Sequence, residues 1–526
     1  MGIQDIQTFL ENEGVSVDLF RIARNHPGGF RLVLDAEGCL DRLYGGYFSA
    51  QALAEHQVSL CVCFNGAHPT PPAMPQHWLQ TQATYRQRVN SVLRHIQSKG
   101  TPPPKVWWVP PTGLHSCLRT ALRYLNIQIM VSSDDHCQEV VGLCREKNYA
   151  GLVGGSGEYL VFQPPKYYSS AQLKLTYRSS LETKEYMVHE LPNLLEVPQD
   201  RLCLAAALLG GTILSEQSLT DFYKRLGINQ KKEPVPPETV VKIVCQFVRG
   251  LPSSDVDAAC VEVFGDLNDL RAAKLKQAVQ YYLNGTKDGF LKYRTASGKE
   301  LHTKNSSKLL QQKGLEDYKL ATAHASMNAD FYMEDRTVDI HRGLAAMSLE
   351  SGDSPAPKQQ VSLDKSGKQK SKKSSKEGRH AKSSSDDNCQ AAPTEVLRTC
   401  AERHTRGLMH PAMLSILTHR QITLGIVMED DNHREIPSIH HFFRPIRQNV
   451  YAILYNMHHH RFMAQKAKEE GVPSTSSSSN ERVCTVHVAE WIYSRVNPGK
   501  SPELVPGQVL DWPVPTVQRL WFGVLN

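Results

Sequence analysis

The sequence predicts an α/β fold: a three-layer α/β/α domain with a helical extension, and a second, smaller mixed domain after a low-complexity break. Three observations lead there. Short apolar runs of strand length alternate with helix-length stretches in the first part of the chain. From about Asp200 the spacing turns helical alone, and residues 350–393 lose nearly all bulky apolar side chains before globular composition resumes. Strands separated by helix-length connections favour a doubly wound, mostly parallel sheet.

In chain order, 31–35, 58–64, 106–109, 127–131 and 151–154 read as short buried strands. A helix is expected from Trp78 to Lys99, with Val89, Val92, Leu93 and Ile96 at helical spacing and Arg86, Arg88, Arg94 and Lys99 elsewhere on its surface. Further helices are expected at 202–209, 217–226, 237–249 and 266–283. The last has an apolar face of Leu267, Leu270, Leu275, Val279 and Tyr282 that should pack on the sheet domain. The Ser-, Lys-, Gly-, Pro- and Gln-rich stretch 350–393 cannot bury enough surface to offset its ordering entropy, which predicts a disordered linker. Ser474–Asn480 reads as a shorter insertion of the same kind. Segments 411–417, 421–428 and 450–455 are the apolar parts of a small mixed domain. The expected division is 1–200, 201–349, 350–394 and 395–526.

The chain has 526 residues, 40% hydrophobic and 21% charged, an ordinary soluble composition. It contains no apolar run of about 18 residues and no basic-then-apolar leader, so neither membrane insertion nor secretion is expected. Its 12 cysteines include no Cys-x-x-Cys pair, and Cys61, Cys63 and Cys245 sit in apolar runs as small hydrophobes. A reduced compartment without structural zinc fits this usage. His440-His441 and His458-His459-His460 point in different directions along the backbone and have no Cys nearby, so surface or partner contacts are expected rather than a metal. Neither a metal nor a cofactor is expected. The net charge is +7. Residues 358–382 carry nine Lys or Arg against Asp364 and Glu377, also a net of +7, so the rest of the chain sums to zero.

Several segments then fall into a recognisable order: Phe30-Arg-Leu-Val-Leu-Asp35, Val58 to Phe64 followed by Asn65-Gly66, the acidic Ser132 to Glu139, Tyr149 to Phe162, and Ala205 to Ile213. Over about the first 215 residues this resembles structure-specific 5′ nucleases of the flap-endonuclease class, which implies a PIN-like domain. Carried over residue by residue, Asp35, Asp135 and Glu158 stand at acidic positions of that family. Asn65, Cys137, Ser156 and Thr212 stand where it has the other four acids. Two-metal phosphoryl chemistry needs hard oxygen ligands around a pair of cations about 4 Å apart, and three acids are too few. The remaining readings are one weak magnesium site, or purely local roles, with Asp134 and Asp135 at a helix N-terminus and Asp35 at a strand end. The family's duplex-anchoring Gly-Ile-Gly-Pro-Lys hairpin is also missing: Leu214 to Lys224 offers no glycine pair.

Four strings, Arg42-Leu-Tyr-Gly-Gly-Tyr47, Lys99-Gly-Thr-Pro-Pro-Pro-Lys105, Pro165-Lys-Tyr-Tyr-Ser-Ser170 and Phe443-Arg-Pro-Ile-Arg-Gln-Asn-Val-Tyr451, resemble a narrower group. This is the constitutive coactivator of peroxisome proliferator-activated receptor gamma and its like-named paralogues. The resemblance implies a non-catalytic, nuclease-derived scaffold, not an enzyme, acting in transcriptional coactivation through nuclear receptors or other signalling proteins. It also implies RNA binding in some members, in nucleus and cytoplasm. The chain departs from the group after Tyr47, where Phe48 to Gln57 replaces a longer stretch and puts the packing of the first sheet there in question.

The residues assigned to nucleic acid are Lys368, Lys370, Lys372, Lys373, Lys376 and Arg379, whose charge can neutralise phosphates in a salt-dependent way. A soluble tether or a nuclear-import signal are the other uses of such a run. Two alternatives stand beside the scaffold: a weak metal-dependent 5′ nuclease using the three acids, and a pure protein adaptor for nuclear receptors. The adaptor rests on Leu191, Leu194 and Leu195, which fit Leu-x-x-Leu-Leu; a buried helix has the same spacing.

Overall fold

A computed structural model describes residues 3–286, with short breaks at 11–12, 27, 67–75, 105–106, 112, 177–179 and 229–234. It also describes 394–509, with breaks at 430–436, 459–460, 462–464, 467–468, 470–485 and 494–501. The linker and its six basic candidates, Lys368 to Arg379, lie outside the described residues, as does Ser474–Asn480.

An eight-stranded sheet organises the first part: β1 (Val15–Asp18), β2 (Phe30–Asp35), β3 (Val58–Phe64), β4 (Gln128–Val131), β5 (Gly151–Gly154), β6 (Tyr167–Ser169), β7 (Lys174–Leu175) and β8 (Leu181–Tyr186). The order is β1-β8-β6-β5-β2-β3-β4, with β7 on β8. Pairings β6-β5, β5-β2, β2-β3 and β3-β4 are parallel; β8 is antiparallel to β1, β6 and β7. The chain winds outward from β2 through β3 to β4, then returns to β5 on the other side. Such a reversal leaves a crevice at the carboxyl ends of β2 and β5, where open α/β sheets bind ligands.

Strand alternation splits the core in two. Val33, Cys61, Cys63 and Leu152 face one layer, packed against helices Gln4–Phe9, His136–Glu146, Glu158–Phe162, Leu202–Leu208, Pro237–Gly250, Val256–Phe264 and Leu270–Gly285. Leu32, Leu34, Leu60, Val62, Phe64 and Val153 face the other, under helices Leu19–Arg24, Leu40–Tyr44, Ala50–Glu55 and Leu114–Tyr124. The first layer is continuous from Val33 to Leu283, so residue 200 is not a packing boundary. The shortened segment after Tyr47 still closes its face: Ser49 caps helix Ala50–Glu55 by accepting from the Ala52 N–H, Phe48 and Leu53 are buried, and His56 stacks on Phe20 at 4.4 Å.

Two sequence expectations need correction. The expected strand at 106–109 is absent: Trp107 donates its N–H to Pro104 O in a turn, and the prolines on either side supply no ladder donors. The expected helix 266–283 begins only at Leu270, because Asp269 caps it by accepting from the Arg271 N–H. Leu267 and Leu270 are therefore exposed, while Leu275, Val279 and Tyr282 are buried as expected. Strands β1, β6 and β8, and helix Val256–Phe264, have no counterpart in the sequence reading.

The second part is a three-stranded sheet, β11-β10-β9, of β9 (Gln421–Leu424), β10 (His487–Ile492) and β11 (Glu503–Pro506). Helices Thr394–Thr405, Pro411–His419 and Arg444–Leu454 pack with it. Three of the group-specific residues there clamp one carboxylate. Arg444, Arg447 and Tyr451, on one side of a helix, all bond to Glu490 of β10, which is fully buried. This unit docks on the first: His404 Nε2 donates to Ser132 O at 2.9 Å, and the Ile426 N–H donates to Gln82 at 3.0 Å. Gly66 makes the first contact feasible, since a Cβ there would lie 1.7 Å from Ser132 O and 2.6 Å from His404 Nε2. No described helix is long and apolar enough to cross a membrane.

Candidate functional site

The crevice at the β2/β5 reversal gathers most of the residues singled out from sequence. Asp35 ends β2 with its carboxylate almost wholly buried. Oδ1 accepts from His136 Nε2 at 2.9 Å and from the Glu37 N–H at 3.0 Å, while Oδ2 accepts from the Tyr159 hydroxyl at 3.0 Å. Three donors thus hold one carboxylate. His136 gains from this: burial alone would lower its pKa, but the Asp35 hydrogen bond and charge, with Glu37 and Asp135 nearby, raise it above the ordinary imidazole value. Burial and the Asp35 charge push the Tyr159 phenol far up, so it remains a donor.

His136 opens the helix that follows β4, and its Nδ1 lies 3.2 Å from Ser132 Oγ. Ser132 Oγ also accepts the Gly66 N–H at 3.1 Å and lies 3.5 Å from Asn65 Oδ1. A protonated His136 donates to Asp35 and Ser132 together, which leaves the serine hydroxyl to donate towards Asn65. Asn65, one of the four replaced acids, is therefore part of the same network. Its backbone N–H donates to Glu37 Oε1 at 3.0 Å, and Glu37 Oε2 meets His115 at 3.2 Å. Desolvation would raise the Glu37 pKa, but His115 and the Asn65 bond hold it below the usual carboxylate value.

The other two acids meet on the far side. Asp135 caps helix His136–Glu146, its Oδ1 accepting the Gln138 N–H at 2.9 Å. Glu158 opens helix Glu158–Phe162. Between them stands Tyr281 of helix Leu270–Gly285, whose hydroxyl donates to Glu158 Oε2 at 2.9 Å and lies 3.4 Å from Asp135 Oδ1. That helix is fixed to helix His136–Glu146 by Gln138 Nε2, donating to Tyr281 O at 3.0 Å, and by Arg145, donating to Gly285 O. Burial raises the Glu158 pKa, and the Asp135 and Asp35 charges add to this against the Tyr281 and Cys137 hydrogen bonds. Cys137, beside Glu158 and Tyr159, has its thiol pushed well up by burial and the neighbouring acids, so it is no thiolate.

Ser156 accepts the Glu158 N–H at 3.3 Å and receives the Tyr167 hydroxyl on its carbonyl at 3.0 Å. Thr212 lines a small recess with Tyr281 and Tyr282. Asp35, Asp135, Glu158 and the four replaced positions thus surround one place, but its space is filled. The loops after β2 and β5 touch: a Cβ on Gly38 would lie 2.6 Å from Gly155 N. A pair of divalent cations does not fit these residues, because the acids' nearest oxygens already accept from His136, Tyr159, Tyr281 and backbone N–H groups. Among the described residues no group of three or more His, Cys, Asp or Glu is disposed to hold a metal.

Sequence reasoning missed His136, Tyr159, Tyr281 and Glu37. His136 and Tyr159 lie inside the quoted strings without a recognisable spacing, and Tyr281 arrives from a helix about 120 residues further on. The receptor-contact reading of Leu191, Leu194 and Leu195 needs correction. Leu191 is 0% and Leu195 6% exposed, both in the main core, and only Leu194, at 38%, reaches the surface. A three-leucine ridge cannot be presented without unpacking that core.

A family model described as the FAM120A-like domain matches residues 195–287, the helical stretch that supplies Tyr281. The "Constitutive coactivator of PPAR-gamma-like protein 1 homolog" of Xenopus tropicalis is 26% identical over 99% of this chain and 62% of its own length. The human "Constitutive coactivator of PPAR-gamma-like protein 1" is 26% identical over 99% of the chain and 61% of its own length, and the human protein 2 is 25% identical over 94% and 56%. The chain thus resembles this coactivator group along nearly its whole length and spans about three fifths of the relatives it matches. Among solved structures, the catalytic core of Rad2 in complex with DNA covers 54% of the chain and 85% of its own length at 13% identity, with a TM-score of 0.30. That superposition is too loose to argue from; the three-layer α/β/α fold stands on the strand order above.

Proposed function

We propose that the chain is a non-catalytic scaffold on a nuclease-like fold, acting in transcriptional coactivation and binding RNA, with nuclear and cytoplasmic residence. One observation carries the non-catalytic part. The Asp35 carboxylate, at the position where an open α/β sheet presents chemistry, accepts from His136, Tyr159 and the Glu37 N–H at once. A carboxylate used for metal chemistry needs oxygens free to meet the ion. Here the hydrogen bonds that replaced those ligands turn the site into a polar core element.

The coactivator part is supported by the names of the relatives, and the RNA part by the charge of residues 358–382. Nuclear receptors and other transcription or signalling proteins are the proposed partners. The contact is not assigned to Leu191 and Leu195, which hold the core.

The test incubates purified chain with labelled 5′-flap DNA and single-stranded RNA in manganese, following retention and cleavage together. Retention without cleavage is expected. Cleavage that disappears in Asp35→Ala would overturn the proposal and make the weak nuclease the primary reading.

A further inference from the structure

The string at 443–451 has an inner and an outer side, and the Glu490 clamp explains only the inner one. Arg444, Arg447 and Tyr451 turn in to that carboxylate. Ile439, Phe442, Phe443 and Ile446 are exposed instead, Phe442 by 68% and Ile446 by 59%. The helical ladder runs unbroken beneath them: the N–H groups of Phe442, Phe443 and Arg447 donate to Ser438 O, Ile439 O and Phe443 O at 2.9, 3.0 and 3.2 Å. At about 100° per residue the four apolar side chains therefore span about 100°, centred about 120° from the three that hold Glu490. They form one stripe, with the Phe442 and Phe443 rings edge to face at 5.1 Å. Single exposed apolar residues are ordinary, but four on adjoining turns of one helical face mark a surface that something covers.

The stripe is held in place by its own backbone contacts. The Ile439 N–H donates to Glu429 Oε1 at 2.6 Å, His440 Nε2 donates to Gly425 O at 2.6 Å, and Arg447 donates to His440 O at 2.7 Å. Ser438 caps the turn by accepting the His441 N–H. A face fixed in this way loses little freedom when it is covered.

The described chain leaves off beside the same helix. Gln448 Nε2 donates to Pro506 O at 3.1 Å, the Gln508 N–H donates to Gln448 O at 2.9 Å, and Val509 packs with Ala452 and Met457. Residues 510–526 follow, outside the described residues, and their sequence matches the stripe. Leu510, Trp512, Val514, Val517, Leu520, Trp521, Phe522, Val524 and Leu525 are apolar, against only Asp511 and Arg519 charged. Val517, Leu520, Trp521, Val524 and Leu525 recur at i, i+3, i+4, i+7 and i+8, the spacing of one apolar helical face. From Ala452 back to Phe442 is about 15 Å of helix, and Leu510 to Thr516 can reach about 23 Å if extended. The apolar repeat is thus tethered within reach of the stripe, at an effective concentration on the order of millimolar. A second copy of the chain has no such tether.

We infer that the stripe of Ile439, Phe442, Phe443 and Ile446 is the docking face for the chain's own apolar segment 510–526, met ridge against ridge by Val517, Leu520, Trp521 and Val524. The contact covers the outer side of the helix whose inner side clamps Glu490. It stands apart from the coactivator and RNA readings above, and neither is needed for it.

The test is amide hydrogen exchange read by mass spectrometry on the full chain, with sedimentation velocity at two protein concentrations. It compares wild type with Phe442→Asp/Ile446→Asp, Leu520→Asp/Trp521→Asp and, as a control far from the stripe, the exposed Tyr124→Asp. In wild type the amides of 516–525 should exchange about tenfold more slowly than in Phe442→Asp/Ile446→Asp, at both concentrations and in a sedimenting monomer. Leu520→Asp/Trp521→Asp should in turn speed exchange at 439–446 several-fold, and Tyr124→Asp should change neither segment. Far-ultraviolet melts check folding, and Phe442→Ala/Ile446→Ala, a milder pair on the same exposed positions, should lower the protection about threefold. Wild-type amides at 516–525 that exchange at unprotected rates would overturn the docking. Protection that survives both stripe variants would place the segment elsewhere and overturn it too. Protection that grows with concentration alongside a dimer would overturn it in favour of a second copy on the stripe.

Discussion

Asp35→Asn separates a structural carboxylate from a catalytic one. The replacement is nearly isosteric but neutral. In its better orientation the carbonyl oxygen accepts from His136 Nε2 and the Glu37 N–H, and the NH2 faces the Tyr159 hydroxyl, which must turn from donor to acceptor. Losing the charge that strengthens these buried hydrogen bonds, and turning the Tyr159 hydroxyl, costs about 1.5–3 kcal/mol. Urea unfolding followed by far-ultraviolet circular dichroism resolves a loss of that size easily if the slope is unchanged. A metal-binding carboxylate behaves in the opposite way, because functional acids are held against repulsion and their removal is often neutral or stabilising. An Asp35→Asn protein within about 0.5 kcal/mol of wild type, or more stable, would refute the structural role.

Protonated His136 bonds to both Asp35 and Ser132, and its folded pKa is raised. Its contribution is complete below the unfolded value of about 6.5 and is lost as pH rises through the higher folded value, so stability should fall as pH rises above about 6.5, and His136→Gln should flatten that fall. Glu490 is the reverse case: burial would raise its pKa, but Arg447, Tyr451 and Arg444 together hold it below 4.5. Its contribution is present above that value and is lost as pH falls through the lower folded one. Removing the charge with Glu490→Gln leaves the Arg447 guanidinium without a carboxylate while Arg444 keeps Glu503, at about 3–5 kcal/mol, and should accelerate amide exchange in helix Arg444–Leu454. Leu191→Ala should cost about 2–5 kcal/mol as a core truncation and Leu194→Ala under about 1 kcal/mol, measured by urea unfolding. Receptor pull-down by Leu194→Ala should match wild type.

The parallel strands were legible because burial on both faces leaves short apolar runs that turns interrupt, and four of the five expected strands exist as expected. The run at 106–109 looks the same in letters, yet prolines on either side deny it a ladder. Antiparallel β8, Leu-Glu-Thr-Lys-Glu-Tyr, is polar at its four central positions and is built by pairing with β1 and β6, which no local pattern announces. At the site, the missing acids were visible as Asn65, Cys137, Ser156 and Thr212, because a carboxylate is either in the sequence or not. What occupies their place was not visible. Tyr281 reaches Glu158 across 123 positions and His136 reaches Asp35 across 101, and such contacts leave no spacing to read. The group-specific strings gain a physical meaning only in the fold. Arg42 lies over the Tyr47 ring and donates to Ala171 O, next to the string at 165–170, and Arg444, Arg447 and Tyr451 close on Glu490.

Titration with manganese, read as the shift in thermal or urea unfolding, asks whether the three acids are committed to protein partners. A site with two or more free carboxylates would stabilise the fold by about 2.7 kcal/mol once manganese reaches a hundred times its dissociation constant. The hydrogen-bonded site predicts no saturable shift up to millimolar metal, in wild type and Asp35→Asn alike. A saturable stabilisation of wild type that Asp35→Asn and Glu158→Gln abolish would contradict it and restore the crevice as a metal centre.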